Sequence, residues 1–132
     1  MTGALRLEWS KALDSLVPDR IVEQLREDVV IKVAVHDEPM HGREVARFLF
    51  GVLAEELDGM NVVEEIVEGD RSVVLFETAI HGVAAQGLNV VRTGEDGLVG
   101  DFTVFFRPLA ALERVSSVIG ARMAERFGPP PG

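Results

Sequence analysis

Two groups of side chains in this sequence have the donor atoms for chemistry. His36, Asp37, Glu38 and His41 fall within six positions and carry the nitrogen and oxygen atoms that a divalent cation takes. Glu77, His81, Arg92 and Asp101 would supply a carboxylate, imidazole and guanidinium set for acid/base hydrolysis if one face of a sheet gathered them. A simpler explanation accompanies each group. A proline-containing turn that feeds a helix collects acidic residues near the helix N-terminus, where they offset the macrodipole, so no metal is expected at 36–41. His81 beside Gly82 reads as a hairpin residue, and Glu64, Glu65, Glu68 and Asp70 read as a solvated edge or turn. The chain has no cysteine and no tyrosine, which removes thiolate nucleophiles, Cys-ligated metals, disulfides and the phenolic donor often used to hold an oxyanion. Gly94 and Gly97 lack the flanking pattern of a phosphate loop or dinucleotide fingerprint, so no cofactor is expected.

The elements that must position these residues follow from periodicity. Leu5, Trp9, Ala12, Leu13 and Leu16 recur at helical spacing, which predicts an amphipathic helix over about 4–16, and Pro18 opens a short second helix to about Leu25. The β-branched run 29–35 predicts a strand, and HDEPMHG a turn. Val45, Phe48, Leu49, Val52, Leu53 and Leu57 predict a helix that Asp58-Gly59 ends. Residues 60–68, 71–81, 84–93 and 98–107 are four strand-like runs with short links, hence an antiparallel meander. Leu109, Leu112, Val115, Ile119 and Met123 mark a closing helix, and 129–132 is expected to be a loose Pro/Gly tail. The fold class is α+β, with a curved antiparallel sheet forming a cone-like half barrel wrapped by helices around a pocket, in a single domain over 1–128.

Composition narrows the partners. A formal charge of −9 argues against nucleic acid, whose phosphates demand a cationic surface, and against anionic lipid. No apolar run approaches the roughly 20 residues that span a bilayer. Charges in MTGALRLEWSKALDSLV interrupt what would be the apolar stretch of a secretory signal, so a cytoplasmic location is expected.

The order of elements, with HDEPMHGREVARFL leading into the long helix and VVRTGEDGLVGDFTVFFRPL as the last hairpin, resembles the nuclear transport factor 2-like superfamily, in its SnoaL-like and ketosteroid isomerase-like branch. The resemblance implies a cone-shaped fold with a pocket, and possible isomerase, cyclase or dehydratase activity. Aligned through Glu38-Pro39 and Gly42, it puts the isomerases' general-base carboxylate at Val33, which cannot move a proton, and their partner carboxylic acid at Asn89. The acid/base set Glu77, His81, Arg92 and Asp101 resembles that of the superfamily's epoxide hydrolases, without their tyrosine.

Strand alternation then distributes the faces. Phe102, Val104 and Phe106 share one side of the last strand; Val74, Phe76, Thr78 and Ile80 one side of the second meander strand; Val29, Ile31, Val33 and Val35 one side of the first strand, with Lys32 and His36 outward. The expected ligand pocket is Trp9, Val33, Phe76, Thr78, Asn89, Val91, Phe102, Val104 and Phe106, and its expected occupant a small apolar or aromatic molecule. Only the resemblance turns Asn89 inward, since Leu88 and Val90 are equally fit to be buried. Slipping by one residue would exchange the faces and put Glu77, His81, Arg92 and Asp101 inside instead. With the apolar set inside, Val73, Leu75, Leu88, Val90 and Phe105 remain on the other face, which predicts a second covering layer and hence a homodimer through the sheet. A non-catalytic interaction domain with a vestigial pocket is the competing reading.

Overall fold

The computed structural model describes residues 5–128; the expected tail at 129–132 lies outside them. Helix α1 (Glu8–Ser15) buries Trp9, Ala12 and Leu13 at helical spacing, and α2 (Pro18–Val22) starts on the predicted proline. Strand β1 (Leu25–Lys32) and the two-residue β2 (Met40–His41) precede α3 (Arg43–Glu56). Four long strands follow, β3 (Leu57–Glu68), β4 (Arg71–Ile80), β5 (Val83–Thr93) and β6 (Val99–Arg107), and α4 (Leu109–Phe127) closes the chain.

One six-stranded, open sheet runs in the order β2-β1-β6-β5-β4-β3. The meander β3–β6 is antiparallel as predicted, but β1 lies parallel to β6, with Ile31 opposite Phe102, so the sheet is mixed rather than wholly antiparallel. The reason is topological: α2 delivers the chain beside the outer edge of β6, where the Val99 amide donates to Gln24 O at 2.8 Å. Register shifts in β1, β3 and β6 add unpaired residues, which increase the local twist and curve the sheet. The β4–β5 link is the pair His81-Gly82, with φ of 47° and 82°, the two left-handed residues that a tight two-residue hairpin requires.

Strand β1 begins and ends four and three residues earlier than the β-branched run suggests, at Leu25 and Lys32 instead of 29 and 35. Arg43 Nε, at the start of α3, donates to Leu25 O at 2.8 Å and ties the strand's beginning to the helix. Past Lys32 the chain leaves the sheet to return as β2, whose Met40 pairs with Ile31.

Burial follows the inward assignment. Val74, Phe76 and Ile80 of β4, Asn89 and Val91 of β5 and Phe102 of β6 are buried, whereas Glu77, His81 and Arg92 are exposed and Asp101 is half-buried on the opposite face. The slipped register is thereby excluded, because it would have required four charged or polar groups to enter the core. Trp9, Phe50 and Phe102 stack as the aromatic centre of that core, with ring centroids 5.2–6.1 Å apart.

Glu65 does more than the solvated role its cluster suggests. The N-cap of α1 is Leu7, whose side chain makes no capping hydrogen bond. The Glu65 carboxylate, reaching across from β3, accepts from the amides of Arg6 at 2.8 Å and Leu7 at 2.9 Å and serves as the missing cap. Burial raises the Glu65 pKa, but the hydrogen bonds from the Arg6 and Leu7 amides and the Ser10 hydroxyl, together with the Arg6 charge, outweigh it and hold the carboxyl below its ordinary value.

Candidate functional site

Between the concave face of the sheet and helices α3 and α4 lies a cavity of about 720 Å³, within the range of small-molecule sites. Its walls come from five places. The sheet gives Phe76, Asn89, Phe102, Val104 and Phe106; α3 gives Val45, Leu49, Phe50 and Leu53; α4 gives Val115, Ile119 and Met123; the segment after β1 gives Val33, Ala34, Val35 and His36; and α1 gives Leu13. Helix α4 buries only Ala111 and Ile119 completely, since much of its inner face fronts the cavity instead of a packed core.

Gly87 of β5 shapes this space. A Cβ there would come within 2.6 Å of Phe76 Cζ and of Phe105 O, and within 2.9 Å of Phe106. The absence of a side chain lets the Phe76 and Phe106 rings lie against each other over the strand, 5.9 Å apart.

Of the residues expected in the pocket, the structure places Val33, Phe76, Asn89, Phe102, Val104 and Phe106 along the cavity. Three stand elsewhere. Trp9 is buried behind the wall, Val91 packs into the core, and Thr78 turns its hydroxyl to the carbonyl oxygen of Gly59 at the irregular start of β3. Thr78 and Val91 follow from strand side alone, and a face that points inward is longer than the cavity it partly lines; Trp9, a candidate cap for the pocket mouth, is core instead.

Asn89 is the one strongly buried polar side chain of the wall, 3% exposed. The indole Nε1–H of Trp9 approaches its Oδ1 at 3.1 Å. Indole nitrogen only donates, so this contact determines which amide atom is the oxygen. What Asn89 can offer the cavity is therefore its Nδ2 protons, a fixed donor facing apolar walls.

The remaining polar lining is His36, Glu38, His41 and Ser116. His36 was expected to point outward by continued alternation; because β1 ends at Lys32, alternation stops, and Val33 through His36 all border the cavity. Among the described residues no group of three His, Asp or Glu side chains is arranged to hold a metal ion. Glu77, His81, Arg92 and Asp101 are not assembled either. His81 Nε2 instead meets Glu56 at 2.7 Å, and Glu56 also accepts from Arg122 of α4 at 3.1 Å. The His81 and Arg122 hydrogen bonds hold the Glu56 carboxyl below its ordinary value, and the cluster joins the hairpin, α3 and α4 at the surface.

No family model and no curated protein matches the chain. Solved structures do. A steroid delta-isomerase from Pseudomonas aeruginosa superposes with a TM-score of 0.80 at 20% identity, covering 91% of this chain and 89% of the other. An uncharacterised protein with a cystatin-like fold from Silicibacter pomeroyi gives 0.81 at 20% identity over 87% and 82% of the two chains. An NTF2-like protein of unknown function from Cytophaga hutchinsonii gives 0.63 at 13% identity, over 83% and 99%. The fold is NTF2-like. At these identities the likeness concerns fold alone, and the NTF2-like cone positions many different sites. Among the described residues no helix is long and apolar enough to cross a membrane.

Proposed function

We propose that this protein binds a small, mostly apolar or aromatic molecule in the cavity, and that Asn89 orients it by donating to an acceptor oxygen. The observation that carries the reading is the pairing of an apolar enclosure with one buried donor whose orientation Trp9 fixes. Few polar groups in an apolar site set the pose of a ligand without a large desolvation cost. The isomerase named among the structural neighbours supports a small hydrophobic molecule as occupant, and isomerase- or cyclase-like chemistry is the reaction class that a pocket of this shape suits. Val33 at the base position of the resemblance gives that chemistry no proton acceptor there. Native mass spectrometry against a library of hydrophobic ketones and aromatics tests the reading: a retained adduct that Asn89→Leu weakens is expected, and failure of every compound to be retained would overturn it.

A second reading concerns the other face of the sheet, and the register gives it a specific form. Two apolar rows cross the strands there, Ile66–Val73–Val90 and Leu75–Leu88–Phe105. Ile66 and Phe105 are 52% and 53% exposed, a high value for residues of this kind. Charged rows flank them, Arg71–Arg92–Asp101 at one end and Glu77–Gln86–Arg107 at the other. A two-fold axis lying across the strands between the apolar rows would lay each row on its counterpart, bringing Arg71 towards the partner subunit's Glu77 and Asp101 towards the partner subunit's Arg107. We infer a homodimer formed by this face, within the roughly 30° that stacked sheets adopt.

A further inference from the structure

Gly120 is unexplained by its own surroundings. It stands in the interior of α4, where a glycine weakens a helix relative to alanine because it has more backbone freedom to lose. Nothing in the protein asks for it: a Cβ built at Gly120 meets no atom within 4 Å, whereas the one that Gly87 lacks would collide with backbone and rings. The open space beside Gly120 belongs to the cavity, which this residue lines together with Ser116 and Ala124, one turn before it and one turn after. That row of α4 is small throughout, while the adjoining row, with Ile119 and Met123, is large. The cavity is therefore widest along the small row.

A second observation points to an occupant. Asn89, 3% exposed, has its oxygen engaged by Trp9, and its amide nitrogen has no partner among the described residues although it is not sealed off from the cavity. Helix α4 touches β4, β5 and β6, so it roofs the strand that carries Asn89. We propose that Gly120 is a specificity-determining residue, its missing side chain leaving breadth for a ring that lies against the α4 backbone while an acceptor oxygen on that ring is held by Asn89. This rests on the cavity reading above and narrows its ligand class to ring-bearing molecules over linear chains. A flat ring gains contact along the whole small row, and contact area lost to a gap is regained only by an occupant broad enough to fill it. A linear chain needs no such breadth and can bend away from a side chain placed there.

The test uses the whole chain, two neutral ketones and two helical glycines. Calorimetric titration gives the affinity for 2-acetylnaphthalene, which carries fused rings, and for 2-decanone, which is linear. Gly120→Leu is expected to weaken 2-acetylnaphthalene roughly tenfold, the scale of overpacking a filled site, and 2-decanone less than about threefold. Gly120→Ala should weaken the aromatic ketone to a smaller degree while raising the melting temperature by roughly 3 °C, the gain expected when a helix-interior glycine becomes alanine. Gly51 of α3 is the control, since a Cβ there also meets nothing within 4 Å but the residue does not border the cavity. Gly51→Ala should raise the melting temperature alike and leave both affinities unchanged. In the wild type, the ring current of bound 2-acetylnaphthalene should shift the Gly120 α-proton resonances and leave those of Gly51 in place, a reading that needs no variant to fold. Wild-type affinity for 2-acetylnaphthalene in both Gly120 variants, with no ring-current shift, would overturn the assignment and leave the cavity reading intact. Equal losses for the two ketones would overturn it as well, because residue 120 would then bound the cavity without selecting rings. If the wild type retains neither ketone, the cavity reading itself falls and this assignment with it.

Discussion

Trp9 and Asn89, 80 positions apart, meet through a 3.1 Å hydrogen bond between α1 and the middle of the sheet. The first helix, which reaches the cavity itself only through Leu13, thus sets its hydrogen-bonding polarity from behind the wall. Trp9→Phe keeps the aromatic packing but leaves a buried amide oxygen unpaired. It is expected to cost about 1–3 kcal/mol in urea unfolding. It should also relax the preference for acceptor-bearing ligands, because the amide would be free to turn. An unchanged ligand preference would show that backbone packing alone orients Asn89.

Asn89→Asp separates support from recognition. The carboxylate still accepts from the indole, but it presents no N–H to the cavity. Affinity for a carbonyl-bearing probe should fall by at least the 0.5–1.5 kcal/mol of one neutral hydrogen bond, and Asn89→Ala should lose a similar amount. Titration calorimetry with 2-acetylnaphthalene measures both.

Glu65 gives a pH-dependent prediction with a definite sign. Its pKa is lower in the folded chain than in the unfolded one. The stability it contributes is therefore complete above the unfolded carboxylate value and is lost as pH falls through the folded value. Glu65→Gln should be less stable than wild type at pH 7, by about 1–2 kcal/mol for hydrogen bonds to a charged acceptor, and the gap should narrow as the pH is lowered below about 4. A gap independent of pH would mean that the carboxylate's charge contributes nothing to the cap.

Gly87→Ala tests how tightly the aromatic wall is packed. The added methyl group meets a backbone oxygen as well as two rings, so it cannot be absorbed by side-chain motion alone. Overpacking of this kind costs about 1–3 kcal/mol. Thermal unfolding of the variant should show the loss, and a neutral effect would indicate a strand free to shift.

For the sheet face, sedimentation equilibrium at micromolar concentration is expected to give twice the chain mass, and Phe105→Glu to give the monomer. The charge reversals Arg71→Glu and Glu77→Arg should each weaken the dimer and in combination restore it. A wild-type monomer would remove the dimer reading.

The strand faces were legible because alternation is a local property: Val74, Phe76 and Ile80 share one side of β4, Phe102, Val104 and Phe106 one side of β6, and only one assignment buries Phe76 and Phe102 together. The end of β1 was not legible, since Val33, Ala34 and Val35 have the same β-forming character inside a ladder as along a cavity wall. His36 was misplaced for that reason, and alternation carried past the last hydrogen-bonded residue gave it the wrong side. Asn89 faces inward although its own strand is ambiguous, and only the family resemblance indicated it. The Glu65 cap and the Trp9 contact join residues 58 and 80 positions apart, and no local pattern encodes such meetings. The parallel placement of β1 escaped for the same cause, because short links reveal neighbours only where chain and space run together.

That parallel pairing governs the order in which the molecule can be assembled. Leu25 pairs with Val99 and Lys32 with Thr103, so β1 precedes its main partner by some 70 residues and must wait for the last strand before that ladder exists. Until then β1 has only the two-residue β2 beside it in the sheet, while β3, β4 and β5 can zip together through short hairpins. Pairings between distant segments are slow to form because the loop must close before any contact rewards it. In pulse-labelled hydrogen exchange during refolding, amides of β4 and β5 should therefore gain protection before those of β1. A nascent chain released before residue 99 would carry an unpaired strand as an invitation to aggregate.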